Sequence, residues 1–281
     1  MITDQETNIV YFTNDLEVDN KKNFKELNSV IESNAYKVRL LVGTDDIYCR
    51  DYMPVQVSEN DFVQFVFRPK AYLSKEEYQY ISHPIYIELM NSIAQPRYSP
   101  IVLDGGNIIK WKDKAIITDR VLKDNRYQFL NDMAIIERLE FDLKCKVIII
   151  PEYPNEATGH ADGLIRFIDE NTVFINDTNT EPEKEWLLEF LEVLEKNQLK
   201  YLELPCDVKP NQNSADGLYI NYLHIGNLIV FPQYGNKAND KKAVTLINEV
   251  YGKTHKIIPF RSNWIAKNGG VLNCSSWTVK K

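Results

Sequence analysis

The chain has 281 residues, is 44% hydrophobic and 26% charged, and carries a net charge of −7. That balance belongs to a soluble globular protein long enough for one large or two ordinary domains, and the acidic surplus speaks against broad phosphate-backbone binding, which needs a basic face. The N-terminal Met-Ile-Thr-Asp-Gln-Glu-Thr-Asn lacks the basic and apolar regions of a secretory signal, and no run approaches the roughly 20 apolar residues of a membrane span. Four scattered cysteines (Cys49, Cys145, Cys206, Cys274) offer neither a disulfide framework nor a C-x-x-C pair. The expectation is a cytoplasmic protein with free thiols, no nucleic-acid partner and no membrane; oligomeric state, a homo-oligomer included, stays open.

In chain order, Asn8 to Phe12 reads as a lone strand. Phe24, Leu27 and Val30-Ile31 recur at helical spacing and lead into a strand at Val38 to Val42. Val55-Gln56-Val57 and Phe62 to Val66 form a hairpin turning near Glu59-Asn60. The segment Arg68 to Pro100 is rich in tyrosine (Tyr72, Tyr78, Tyr80, Tyr86, Tyr98) and suits either specificity or packing. A second hairpin joins Ile108-Ile109 to Ala115-Ile116-Ile117. A helix through Tyr127, Leu130 and Met133-Ala134 follows, then a strand at Val147 to Ile150. Leu164 to Ile168 and Thr172 to Ile175 make a third hairpin, before a helix on Trp186, Leu187, Phe190, Leu191 and Leu194 and a strand at Tyr201 to Leu204. Tyr219 to Leu223 and Leu228 to Phe231 form a fourth, turning at Gly226-Asn227. Val244, Ile247 and Val250-Tyr251 mark a helix stopped by Gly252, and Ile257 to Phe260 a strand.

The unit is hairpin, helix, strand. Asp51, Asp104, His160, Gly217 and Cys274 mark it at steps of 53, 56, 57 and 57 residues. Five units fill the chain. The last hairpin ends at Trp277-Thr278-Val279, and the early strand Asn8 to Phe12 is placed to supply its partner and close a ring without exposed sheet edges. The competing architecture is an open α/β sheet; a dinucleotide-binding glycine fingerprint and a P-loop are both absent. If the units surround an axis, loops carrying Asp51, Asp104, His160 with Asp162, and Cys274 meet at one end.

Four segments then resemble a known family. Asp46-Ile47-Tyr48-Cys49-Arg50-Asp51-Tyr52-Met53-Pro54 resembles D-x-W-x-R-D-x-G-P. Leu103-Asp104-Gly105-Gly106 resembles L-E-G-G. Gly159-His160-Ala161-Asp162 through Arg166-Phe167 resembles G-H-x-D-x-x-x-R-F, and Gly269-Gly270 through Cys274 resembles G-G-x-x-x-C. These motifs, in order over nearly the whole chain, are those of the guanidino-group-modifying enzymes of the pentein superfamily, nearest to the agmatine deiminase and bacterial peptidylarginine deiminase group. The resemblance implies an α/β fold, a five-bladed pseudo-symmetric propeller of ββαβ units, and one catalytic domain over residues 1–281. Tyr48 departs from the family's Trp, Asp104 from its Glu, and Ser275-Ser276-Trp277-Thr278 from its usual ending.

Guanidinium chemistry suits these residues. Carboxylates match the planar N–H fork, which places Asp51 and Asp162 as clamps, and the resemblance implies the same. Cys274 attacks as a thiolate. His160 donates a proton to the departing amine and later activates water. Asp104 holds the imidazole or a substrate nitrogen, with Asp119 as the competing partner of the histidine. His160-x-Asp162 lacks a third ligand, so no metal or cofactor is expected. The expected partner is a small cationic guanidino substrate, and the expected reaction is hydrolysis to a ureido group and ammonia. An amidinotransferase, or a non-catalytic binding protein on the same scaffold like the ribosomal anti-association factor, are the alternatives. Cys145, Cys206 and Cys49 read as small buried hydrophobes, and His83, His224 and His255 as exposed or satisfied structural residues. Gly105-Gly106 reads equally as a turn that needs positive φ.

Overall fold

Every predicted hairpin forms an antiparallel ladder and takes a third strand in parallel. The computed structural model describes residues 1–69, 82–93, 95–154, 156–208 and 214–281. Its strands are β1 (Ile9–Thr13), β2 (Lys37–Leu41), β3 (Val55–Ser58), β4 (Asp61–Val66), β5 (Arg97–Val102), β6 (Ile109–Trp111), β7 (Lys114–Thr118), β8 (Lys146–Ile150), β9 (Ile165–Phe167), β10 (Thr172–Asn176), β11 (Lys200–Leu204), β12 (Leu223–Ile225), β13 (Leu228–Gln233), β14 (Lys256–Arg261) and β15 (Trp277–Val279). They build five three-stranded sheets, ordered β15-β1-β2, β3-β4-β5, β6-β7-β8, β9-β10-β11 and β12-β13-β14. In each, the middle strand runs antiparallel to the first and parallel to the third. The five-unit α/β architecture expected from the motifs is therefore present.

Burial explains the pattern. Middle strands such as β1 and β13 are buried almost end to end, so they read as continuous apolar runs, whereas third strands such as β2 and β11 are largely exposed. A parallel third strand requires a crossover, and helices supply it. Lys21–Glu32 buries Phe24, Leu27 and Ile31, and Lys184–Lys196 buries Phe190 and Leu194. Neighbouring units share core: Ile109 and Ile116 of one sheet pack in one cluster with Ile165 and Val173 of the next. Among the described residues, no helix is long and apolar enough to cross a membrane.

Several local expectations are corrected. The helix predicted from Tyr127 begins at Asp132, capped by Asn131 Oδ1 accepting from Ala134 N. Tyr127 and Leu130 are 99% and 94% exposed, and the buried face is Ile135, Leu139 and Leu143. Residues 219 to 222 are not strand. Tyr219 Oη donates to Asp240 at 2.8 Å, and these buried side chains leave the ladder to β12 alone. The strand β5 carried no signal because Pro100 interrupts it; proline is tolerated on such an edge strand. Gly252 ends its helix at φ −61°, in ordinary right-handed geometry rather than the left-handed cap. His224 is not exposed and only partly satisfied: it is buried, its Nε2 has no hydrogen-bond partner among the described residues, and burial pushes its imidazole down to about 3. Of the tyrosine-rich segment, Tyr72, Tyr78 and Tyr80 lie outside the described residues, and Tyr86 and Tyr98 are exposed.

The ring closes where the two ends of the chain meet. Strand β15 pairs antiparallel with β1, Ile9 opposite Val279 and Tyr11 opposite Trp277. Trp277 packs 4.9 Å from the Tyr11 ring and 6.3 Å from Phe62, and its Nε1 donates to Pro54 O at 2.8 Å. One side chain thus joins the closing sheet to the next unit. Trp277→Ala is expected to cost about 3–5 kcal/mol in a urea unfolding experiment; a loss below about 1 kcal/mol would show that the seam does not depend on this ring.

Candidate active site

The loops that precede the first strand of each sheet converge on one hub. Before β3, the helical turn Cys49–Tyr52 carries Arg50 and Asp51, braced by Tyr52 Oη donating to Asp46 O and by the Cys49 thiol donating to Ser275 O. Arg50 ties this loop to the chain's C-terminal loop, its N–H donating to Cys274 O (3.2 Å) and its Nε to Asn273 O (2.7 Å).

Before β6, Asp104 precedes a tight turn, Gly105–Asn107. Neither glycine has positive φ, which corrects the expectation of a left-handed turn. They are required by close approach. A Cβ on Gly105 would lie 2.0 Å from Arg50 O, and one on Gly106 would lie 2.4 Å from Asp51 Oδ1 and 2.8 Å from His160 Nδ1. Gly106 N instead donates to Asp51 Oδ1 at 3.0 Å. Asn107 Oδ1 accepts from both Thr118 N and Ala161 N, locking this turn to the next.

Before β9, His160 caps the turn Ala161–Gly163. Its Nε2 lies 3.1 Å from Asp104 Oδ2 and its Nδ1 3.7 Å from Asp51 Oδ1. Asp119 is elsewhere, accepting from Glu152 N and pairing with Lys123. Asp104 is therefore the carboxylate within hydrogen-bonding reach of the imidazole. Asp162 is buried; its Oδ2 accepts from Asn273 Nδ2 (2.7 Å) and from the Cys274 thiol (3.2 Å). The Cys274 loop is held by Tyr48, whose hydroxyl accepts from Gly270 N at 2.9 Å.

The sequence reading missed three residues. Asn221, before β12, donates from Nδ2 to Cys274 Sγ at 3.2 Å and accepts the Cys274 N–H at 3.3 Å. Asn273 and Asn107 are the other two. A signal existed: each is a polar residue within four positions before the first strand of its sheet, the stretch that also holds Asp51, Asp162 and Cys274. The fourth unit was marked instead by Gly217, which turns at positive φ against Asp207.

Electrostatics follow from burial and crowding. Burial lifts the Asp51 carboxyl to about 8; His160 works against the rise, and Asp104 and Asp162 add to it. Burial alone would lower the His160 imidazole, but Asp51 and the hydrogen-bonded Asp104 outweigh it and hold it at about 10. Burial and the carboxylates of Asp162 and Asp51 push the Cys274 thiol well above its ordinary value. Burial also drives up Cys49, Cys145 and Cys206. Three carboxyl groups thus crowd one thiol and one imidazolium; Asp51 is mainly protonated at neutral pH in the free site, and an incoming cation favours its ionised form.

Five α/β units thus meet at a hub that gathers a thiol, an imidazole and carboxyl groups. The sequence profile of the Porphyromonas-type peptidyl-arginine deiminase family matches residues 2–279, and the chain belongs to that family. It is 26% identical to an agmatine deiminase of Medicago truncatula over 64% of this chain; the match spans 57% of that relative's length. Among solved structures, it is similar to the agmatine deiminase of C. jejuni (TM-score 0.78, 20% identity, 100% of this chain and 95% of that one). It is also similar to DDAH of Pseudomonas aeruginosa (TM-score 0.59, 13% identity, 97% and 99%). At these identities both likenesses concern the fold.

The electrostatics can be checked directly. In NMR titration, the His160 Cε1 resonance should keep its imidazolium position through neutral pH, with a midpoint of about 10, and Asp104→Asn should lower that midpoint by removing a hydrogen-bonded carboxylate. A wild-type midpoint at the ordinary histidine value would refute the arrangement.

Proposed function

We propose that this protein is a cysteine-dependent deiminase, one catalytic unit over residues 1–281, that hydrolyses the guanidino group of an arginine-like substrate to a ureido group and ammonia. The observation that carries the reading is the shared hub. The Cys274 sulfur lies 3.2 Å from the Asp162 carboxylate, and within the same ring of loops His160 is held by Asp104 and Asp51.

A guanidinium entering between Asp51 and Asp162 offers N–H pairs to both carboxylates. Its positive charge offsets the two groups that keep the thiol protonated, so substrate binding itself lowers the thiol's pKa. The thiolate adds to the guanidinium carbon to form a tetrahedral adduct. The His160 imidazolium protonates one nitrogen, which leaves as ammonia, and a covalent S-linked amidine remains. Water, deprotonated by the now neutral His160, adds to the same carbon. Collapse expels the Cys274 thiolate and leaves the ureido product. Net, one water enters, and one ammonia leaves with the proton the guanidinium brought, together as ammonium.

Arginine, agmatine, peptidylarginine and guanidino acids, scored for ureido product with and without an added amine acceptor, test the proposal. Product formation on at least one member without the amine is expected, and formation only with it would replace hydrolysis by amidino transfer. Cys274→Ala should lower the rate by about a thousandfold or more, and Asp51→Asn or Asp162→Asn by about a hundredfold. Because His160 acts as the acid, kcat/KM should fall as pH rises through about 10. A Cys274→Ala protein as active as wild type on every substrate ends the proposal.

A further inference from the structure

We infer that the cavity behind the Cys274 loop binds one small monovalent anion of the size of chloride, held by Lys110 and Arg50, with a water beside it at Asp4 and His224. The site stands on its own geometry, whatever reaction the hub performs.

The cavity measures about 30 Å3. A buried water needs roughly 10–15 Å3, so there is room for about two occupants of that size and for no larger metabolite. Lys110 enters from β6, His224 from β12 and Asp4 from the N-terminal turn Asp4–Glu6, while Arg50, Asp162 and Arg166 close the wall.

Polar atoms in this wall lack protein partners. The Lys110 side chain is only 10% exposed, and its Nζ makes no hydrogen bond among the described residues. Its ion pair with Asp4 Oδ1 spans 3.7 Å, too long for a hydrogen bond. Asp4 Oδ1 and His224 Nε2 are buried and also lack a hydrogen-bond partner among the described residues. Buried polar atoms normally have one. Lys110 can only donate and Asp4 Oδ1 can only accept, so a single kind of occupant does not suit both. An anion satisfies the ammonium, and a water spans the carboxylate oxygen and the imidazole.

Charge decides for an anion over a second water. Arg50, Lys110 and Arg166 bring positive charge to the wall, and Asp4 and Asp162 negative charge. His224 is neutral, its imidazole pushed down to about 3 by burial and then by Arg166. One positive charge is left over, where an unbalanced charge is costly. Asp162 moreover turns Oδ2 toward Asn273 Nδ2 and Cys274 Sγ, on the thiol's side. The flanking groups feel the same field. Burial alone would raise the Asp4 carboxyl, yet Lys110, Arg166 and Arg50 hold it far below the usual carboxylate range. Burial lowers the Lys110 ammonium, and Arg50 and Arg166 push the same way against Asp4. A positive potential in a confined space concentrates anions. Arg50 carries the consequence forward, because its Nε holds Asn273 O and its main-chain N–H holds Cys274 O. An anion beside its guanidinium therefore stabilises the folded hub.

Loss of the Lys110 proton is the competing way to remove the excess charge, and a neutral amine holds no anion. Crystals of the full-length protein soaked in sodium bromide separate the two. Anomalous scattering should place one bromide in the cavity, in contact with Lys110 Nζ, and none there in Lys110→Met. In solution, sodium chloride should raise the melting temperature by about 3 °C over sodium gluconate at equal ionic strength, gluconate being too large to enter. Lys110→Met should abolish that difference. Asp4→Asn, which removes a negative charge from the wall, should enlarge it by tightening chloride about tenfold. A merely structural role for these side chains would not move the chloride response in opposite directions. Water alone in the bromide-soaked cavity overturns the inference, as does an equal chloride response in wild type and Lys110→Met. Should Lys110→Met fail to fold, chloride-35 line broadening by the wild-type protein decides: broadening relieved by bromide and not by gluconate supports the site, and its absence overturns it.

Discussion

The hub depends on the antiparallel pairing of β15 with β1. Only this ladder makes the first sheet from both ends of the chain, and it brings the last loop, Gly269 to Cys274, against the first, Cys49–Tyr52. Its buried strands, Trp277 wedged between Tyr11 and Phe62, and the exchange of hydrogen bonds between Gln56 and Lys280 make the seam resemble any other inter-unit boundary. Each sheet keeps a short outer edge, its third strand of five or six residues.

Closure has an electrostatic consequence. Five inward loops place several ionised side chains where water is scarce, and each needs an opposite charge or a hydrogen bond. On the thiol's side of the hub, His160 lies between Asp104 and Asp51. Behind it, Asp4 takes a 2.8 Å contact from Arg166 and faces Lys110 at 3.7 Å. Burial alone would raise the Asp4 carboxyl, yet Lys110 and Arg166 hold it far below the usual carboxylate range. Arg166 also lies over the Tyr222 ring at 4.0 Å. The two clusters are linked through Arg50, Asn273 and Asp162, which line the rear cavity together with Asp4, Lys110 and His224. Charge-assisted contacts in this cavity thus lie beside the apolar cluster that buries Val271 and Leu272 of the thiol's own loop.

Two departures from the family motifs have a local logic. Tyr48 replaces an indole with a phenol whose hydroxyl anchors Gly270 N, and Gly270 has no room for a side chain because a Cβ would lie 2.6 Å from the Tyr48 ring. Asp104 is shorter than the Glu it replaces, and it still reaches His160 because Gly105 and Gly106 let their loop lie directly on Arg50 and Asp51.

Sequence alone determined what repeats locally. Alternating apolar runs around polar turns wrote the hairpins, helical spacing wrote the crossovers, and the return of reactive side chains at near-constant intervals marked the units. The early strand at Ile9–Thr13 and the truncated hairpin at Trp277–Val279 each lacked a partner, so their pairing was legible as well. Boundaries failed where burial overrode pattern, as at Tyr127, whose apparent helical register points into solvent, and at Tyr219 to Tyr222, whose aromatic alternation is core packing. Only the tertiary structure decided which side chains touch. Asp104 rather than Asp119 meets His160, Asn221 rather than Gly217 represents the fourth unit, and Gly105 and Gly106 serve close approach rather than left-handed backbone. Each of those choices joins residues roughly one repeat apart or more, and their separation is set by how five sheets close around an axis, a quantity that no local period encodes.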